Sequence, residues 1–272
     1  MYKAVFIDID GTLKNDKGQI TKRTKEAIKN ATSKGIYVVI CSGRPIHSTI
    51  EVSKESNASN YVICSNGAHI YDYKQEKTLY SNKMSNENCI KLFEIANKYD
   101  TKFVLNTENG RYVNKNEIDE DDDLIDKPIA EFLKEHDISQ CIFISPKWET
   151  IKEIKEIEIP KFKDVEIKNQ SKCLTNPEEK PWPITYCDVA NLDSSKGNGI
   201  KKFCEIMNID LKDTIAFGDD YNDVPMFETV GHAVVMGNAN DYIKKNYADE
   251  IAEDNNLDGV AKVLERILEE GV

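Results

Sequence analysis

The chain has no apolar stretch approaching the roughly 20 residues that cross a bilayer; its longest, such as Ile36 to Cys41, fall far short. No export signal is expected, since Met1-Tyr2-Lys3 runs straight into a strand-like segment. Basic residues are in deficit: 36 Lys and Arg stand against 48 Asp and Glu, for a net charge of -12 over 272 residues. Such a surface repels nucleic-acid backbones and anionic lipid, so neither nucleic acid nor membrane is expected as a partner. Cysteines number seven, at 41, 64, 89, 141, 173, 187 and 204. The set is odd and scattered, with no Cys-x-x-Cys spacing, which suggests neither a disulfide framework nor a zinc site and fits a reducing, cytoplasmic location. Histidines are only four, and His47, His69, His136 and His232 stand apart from one another; none is taken as a ligand or a catalyst. With no coiled coil, basic face or large apolar stripe, a monomer or weak dimer is expected.

The remaining composition, 40% hydrophobic and 31% charged, supports one large domain or two moderate ones. Through residue 65 the pattern reads strand, helix, strand, helix, strand: Lys3 to Ile9, Lys22 to Ser33, Ile36 to Cys41, Pro45 to Lys54 and Tyr61 to Cys64. Nearly all-apolar strands alternating with amphipathic segments predict a parallel sheet covered by helices on both faces. The alternation returns after about residue 196, with a helix over 199 to 207, a strand over 214 to 217, a helix over 223 to 229, a strand over 233 to 236 and a last helix over 257 to 270. Between them, from about Asn82 to Tyr186, an amphipathic helix, hairpin-like strands and two further helix-strand pairs suggest an inserted α+β domain. The expected fold is therefore α/β, a Rossmann-like parallel sheet core over 1–81 and 188–272 with an inserted cap over 82–187. Glu117 to Asp123 holds six acids in seven residues and is expected to be a solvated loop of the insert.

The chemistry gathers at strand ends. The first strand finishes in Asp8-Ile9-Asp10-Gly11-Thr12, and in a parallel sheet the carboxyl ends of strands face the ligand crevice. Acids two residues apart on a strand point the same way and repel unless a cation or a shared proton intervenes. A hard divalent cation such as Mg2+ resolves that conflict and favours a phosphate-ester substrate. Gly11 permits a tight turn off the strand. Ser42-Gly43-Arg44-Pro45, after the next strand, offers a hydroxyl and exposed amides where a helix begins; an ordinary N-cap is the plainer alternative. Ser195-Lys196-Gly197 puts an ammonium at a helix start, and Gly218-Asp219-Asp220-Tyr221-Asn222-Asp223 ends another strand in acids.

Taken in order, Asp8-x-Asp10-Gly-Thr12, Ser42-Gly43-Arg44-Pro45, Ser195-Lys196-Gly197 and Gly218-Asp219-x-x-Asn222-Asp223 resemble the four motifs of the haloacid dehalogenase superfamily. The insert of roughly 100 residues, together with Ser65-Asn66-Gly67-Ala68, resembles its Cof-type, large-capped (HAD-IIB) phosphatases. The resemblance implies a Mg2+-dependent phosphatase acting on small phosphorylated metabolites, such as sugar, flavin or pyridoxal phosphates. It implies Asp8 as the nucleophile forming an aspartyl-phosphate and Asp10 as the acid and base. Mg2+ is then expected on the Asp8 carboxylate, the Asp10 carbonyl and Asp219. Ser42, the Gly43 amide and Lys196 would hold the phosphoryl oxygens, Thr12, Arg44 and Asn222 would bind phosphate or substrate, and Asp223 would support Lys196 and the metal shell. The insert is expected to act as a lid. A phosphomutase of the same superfamily and a non-catalytic phosphometabolite sensor are the alternatives. Serine at 42 stands where many relatives have threonine, which keeps the hydroxyl. Asp188 to Asp193 lacks the Pro and Gly common before the lysine, which bears on substrate fit.

Overall fold

The computed structural model describes residues 2–108, 110–115, 122–173 and 184–271. In chain order the elements are β1 (Ala4–Ile7), α1 (Lys22–Ser33), β2 (Tyr37–Cys41), α2 (Ile46–Ser56), β3 (Tyr61–Cys64), β4 (His69–Asp72) and β5 (Lys77–Ser81). Then come α3 (Asn86–Lys98), β6 (Lys102–Thr107), β7 (Arg111–Val113), β8 (Asp122–Leu124), α4 (Ile129–Phe132), β9 (Ile138–Ser145), α5 (Trp148–Glu153), β10 (Val165–Cys173) and β11 (Ile184–Asn191). The last stretch holds α6 (Lys196–Met207), β12 (Thr214–Gly218), α7 (Val224–Phe227), β13 (His232–Val235), α8 (Asp241–Tyr247), β14 (Glu250–Ile251) and α9 (Gly259–Glu270). The chain divides into two compact units, Met1–Tyr80 with Ser195–Val272, and Ser81–Ser194.

In the first unit the sheet runs β14-β13-β12-β1-β2-β3-β4-β5. Its strands are parallel from β14 to β3, and β4 turns back antiparallel on β3. Alternation along the strands divides the core in two. Val5, Ile7, Val38, Ile40, Ile215 and Phe217 pack with Ala27, Ile28, Leu264 and Ile267 of α1 and α9. Ala4, Phe6, Val39, Cys41 and Ala216 pack with Ile200 and Phe203 of α6 on the other face. Helix starts follow local chemistry: Thr21 and Ser195 accept from the amides of Thr24 and Asn198, capping α1 and α6.

β1 lies between β2 and β12, with Ile7 opposite both Ile40 and Phe217. That register puts the residues following all three strands side by side. The hairpin of β4 and β5, and the late elements α8 and β14, carry little periodicity and are not among the expected elements; pairing partners rather than sequence pattern make β4, β5 and β14 strands, and Asn240 caps the start of α8.

His69, on β4, is 2% exposed and pairs through Nε2 with Thr78 Oγ1 at 3.0 Å. Burial lowers its pKa to about 4 from 6.5. An unfolded chain binds this proton from pH 6.5 downward and the folded one does not until about pH 4, so the fold loses stability across that window as pH falls. The loss reaches about 3 kcal/mol by pH 4. Urea unfolding of the protein and of His69→Gln at pH 7 and pH 4 reads this directly: the variant is expected to lose about 3 kcal/mol less. Equal losses would show that His69 is not the group responsible.

The second unit has a sheet ordered β10-β11-β9-β6-β7-β8, antiparallel except for the β7–β8 pair. Phe103, Leu105, Cys141, Phe143, Cys187 and Val189 of this sheet pack against Leu92 and Ala96 of α3 and Ile151 of α5. Two expectations change here. β11 is hydrogen-bonded along its length to β10 and β9, so a boundary at 187/188 would cut a strand, and the units divide instead at Ser194/Ser195. Within the acidic run, 117–121 lie outside the described residues. Asp122 is not in a solvated loop: it opens β8, 6% exposed, with Lys102 Nζ at 3.0 Å and Arg111 Nε at 3.2 Å. Two local cations remove the reason for that acid to face water. Cys41, Cys64, Cys89, Cys141, Cys187 and Cys204 are buried free thiols. Among the described residues, no helix is long and apolar enough to cross a membrane.

Candidate active site

The site forms where β1, β2 and β12 end, joined by the first turn of α6. Asp8 follows β1 with its amide donating to Phe217 O at 3.0 Å, and its side chain is nearly buried. Gly11, at φ +77°, turns the chain away. A Cβ there would lie 2.3 Å from Asp219 Oδ2, so both the left-handed backbone and the close approach require glycine. Thr12, also buried, donates through Oγ1 to Asp219 Oδ1 at 2.7 Å. Its hydroxyl thus serves the acid of another strand rather than facing outward as a phosphate contact.

Lys196 is buried at the start of α6, its Nζ 2.5 Å from both Asp8 Oδ1 and Asp223 Oδ1. Asp223 uses its other oxygen to accept from the amides of Asp219 and Asp220, at 2.9 and 3.1 Å. It thereby shapes the turn after β12, on which Asn222 sits half-buried. α6 is let in close by glycine: at Gly67, φ +84°, a Cβ would stand 1.9 Å from Ser195 O. Ser42, after β2, is buried, and its Oγ accepts from the Arg44 amide at 3.2 Å. A Cβ on neighbouring Gly43 would lie 2.9 Å from Asn66 Oδ1.

The electrostatics are those of an acid cluster with too little positive charge. Asp8, Asp219 and Asp223 can each bring one carboxylate oxygen within 4.8 Å of the others. Burial pushes the Asp8 carboxyl up to about 8; Lys196 pulls it down, while Asp223 and Asp219 add to the rise. Burial also pushes Asp219 up to about 7, with Thr12 opposing and Asp223 and Asp220 adding. For Lys196 burial acts against the charge, and Asp223 and Asp8 outweigh it, so its pKa rises. One ammonium among three carboxylates leaves a net deficit that a hard divalent cation would offset. The donor set fits: Lys196 and two amides occupy both oxygens of Asp223, leaving Asp8 and Asp219 as the carboxylates disposed to hold Mg2+. Asp10 differs from these. Its side chain is 64% exposed and bound by Arg44, Nη2 to Oδ1 at 2.5 Å and Nε to Oδ2 at 2.8 Å. Burial opposes the Arg44 charge, but Asp10 more than offsets it, and the guanidinium lies above its usual range.

A family model described as haloacid dehalogenase-like hydrolase matches residues 5–264. The chain belongs to the haloacid dehalogenase superfamily. Over 263 residues it is 30% identical to the 5-amino-6-(5-phospho-D-ribitylamino)uracil phosphatase of Bacillus subtilis, covering 96% of this chain and 94% of that one. A second Bacillus subtilis phosphatase is 27% identical over 98% of this chain and all of its own length. Among solved structures, a Thermotoga maritima protein superposes with a TM-score of 0.80 at 28% identity, covering 98% of each chain. A sugar phosphatase of HAD subclass IIB shares the fold at a TM-score of 0.75 and 23% identity, covering 97% of this chain and 98% of its own. The chain is a HAD phosphatase, a phosphoric monoester hydrolase.

In this HAD phosphatase the anticipated Asp8, Thr12, Ser42, Gly43, Lys196, Asp219 and Asp223 all stand at the three strand ends and the α6 start. Two contributors escaped the sequence reading. Asn238 donates through Nδ2 to Gly11 O at 2.8 Å, holding the β1 turn from the end of β13. Ser48 Oγ lies 3.2 Å from Arg44 Nη1. Asn238 had one usable signal, its place just after a parallel strand's carboxyl end; Ser48 had none. Trp148 opens α5 and packs partly buried against the second unit's core.

Proposed function

We infer that this enzyme is a Mg2+-dependent phosphatase of small phosphorylated metabolites that works through an aspartyl-phosphate. The observation that carries the reading is the triad of Asp8, Lys196 and Asp223 beside Asp219, with its uncompensated buried acid charge. Asp8 is the nucleophile: its carboxylate attacks phosphorus, and the phosphorus-oxygen bond to the leaving group breaks. Asp10 gives the leaving oxygen a proton and then takes one from the water that cleaves the acyl phosphate. Ser42, the Gly43 amide and Lys196 receive the phosphoryl oxygens, the lysine also neutralising Asp8 during approach. Asp8 and Asp219 would hold Mg2+, which when bound supplies the positive charge that lets phosphate dianion and carboxylate meet. Asp223 keeps Lys196 and the amides of Asp219 and Asp220 in place.

The substrate is a small phosphomonoester with a polyol or sugar-like leaving group; support comes from the relative named for a phosphoribityl compound. Phosphate release from a panel of sugar, polyol, flavin and pyridoxal phosphates, with Mg2+ and with a chelator, tests the reading. Release is expected only with Mg2+ and to return when the ion is restored. Activity indifferent to chelation would exclude the metal role of Asp8 and Asp219, and an isomeric phosphosugar in place of free phosphate would replace the hydrolase with a mutase.

A further inference from the structure

We propose that Arg44 is a positioning residue that acts through Asp10 rather than a direct ligand of the substrate phosphate, with Ser48 as its anchor. This rests on the reading of Asp10 as the acid and base. The Asp10 carboxylate is largely exposed, and Arg44 is its only bonded partner among the described residues. An exposed aspartate samples several rotamers in solution. A planar fork donating from Nε and Nη2 to both oxygens fixes the plane and direction of the carboxylate in a way a single ammonium cannot.

Arg44 is itself held at two further points. Its amide donates to Ser42 Oγ at 3.2 Å, and its Nη1 reaches Ser48 Oγ at 3.2 Å. Ser48 lies four residues on, in the first turn of α2, the spacing that brings side chains together along a helix start. The direction of Asp10, at the end of β1, is thereby set from α2. Nε and Nη2 are committed to Asp10 and Nη1 to Ser48, so three of the five guanidinium N–H donors are already engaged within the chain. Lys196 cannot take over this task, because its Nζ sits between Asp8 and Asp223.

Steady-state turnover of p-nitrophenyl phosphate by the full chain with Mg2+ tests the proposal in a double-mutant cycle of Arg44→Gln and Asp10→Asn. Arg44→Gln is expected to lower kcat about tenfold or more, a part of the gain available from a well-placed acid and base, and to leave KM within about twofold. In the Asp10→Asn background the same change should cost nothing further. Ser48→Ala should lower kcat a few-fold, and that loss too should vanish with Asp10→Asn; it gives a second route if Arg44→Gln folds poorly. A raised KM, losses that multiply in the double variant, or faster turnover by Arg44→Gln would overturn the proposal. Full turnover by Asp10→Asn alone would sink the acid-base reading of Asp10 instead, a result distinguishable from failure of the Arg44 link.

Discussion

Asp8→Asn is expected to cut turnover on the order of 10⁴-fold or more while the chain stays folded. Single removal of a covalent nucleophile costs about as much as dismantling the whole catalytic group, and amide nitrogen or neutral oxygen cannot supply the carboxylate's attack on phosphorus. The fold should persist for a local reason. Asparagine has nearly the same shape, the Asp8 amide still bonds to Phe217 O, and burial already works against the Asp8 charge. Circular dichroism should therefore match the parent while phosphate release disappears and no acid-stable, hydroxylamine-labile phosphoenzyme forms. Retained release would remove Asp8 as the nucleophile, and lost ellipticity would mean that the position is needed for folding.

Lys196→Met is expected to injure stability as well as activity, which separates it from Asp8→Asn. The ammonium lies 2.5 Å from two carboxylates, one of them, Asp223, with no exposed side-chain surface. Removing one partner of a buried pair strands the charges left behind, at a cost of about 3 to 5 kcal/mol. Methionine fills a similar volume, so little of that loss reflects an empty cavity. Freed of Lys196, Asp223 can also lose its grip on the amides of Asp219 and Asp220, so the acid at the end of β12 shifts along with the missing cation. A urea midpoint lowered by this amount, together with at least a 10³-fold loss of turnover, is the expected result. An unchanged midpoint would show that these acids are neutralised in another way. Lys196→Arg is not conservative here, because the guanidinium is broader than the space between Asp8 and Asp223.

The two substitutions separate parts of one device. In the proposed mechanism Asp8 carries the reaction, whereas Lys196 both carries charge for it and offsets the burial of the acids around it. Acid crowding at a covered strand end costs stability, and such local cost is common where groups are held ready for chemistry. Parallel strands make the arrangement possible: β1, β2 and β12 end at one level, so residues separated by up to 215 positions (Asp8 to Asp223) meet without long loops.

Much of this was legible in residue order alone. Short apolar strands alternating with amphipathic helices specified a parallel sheet, because that period and the burial of both faces leave few other packings. Asp8, Ser42, Lys196, Asp219 and Asp223 each mark a strand end or helix start, where tight turns and caps leave a recognisable local pattern. Tertiary structure decided what has no local code. β4 and β5 are strands because β3 offers an edge, and Asp122 turns inward because Lys102 and Arg111 meet it there. Thr12 serves Asp219 rather than a ligand, Arg44 grips Asp10, and Asn238 ties down Gly11. Each of those contacts joins residues on different strands or loops, and such partners are chosen by the register of the sheet and the approach of its helices, which no short window of sequence contains.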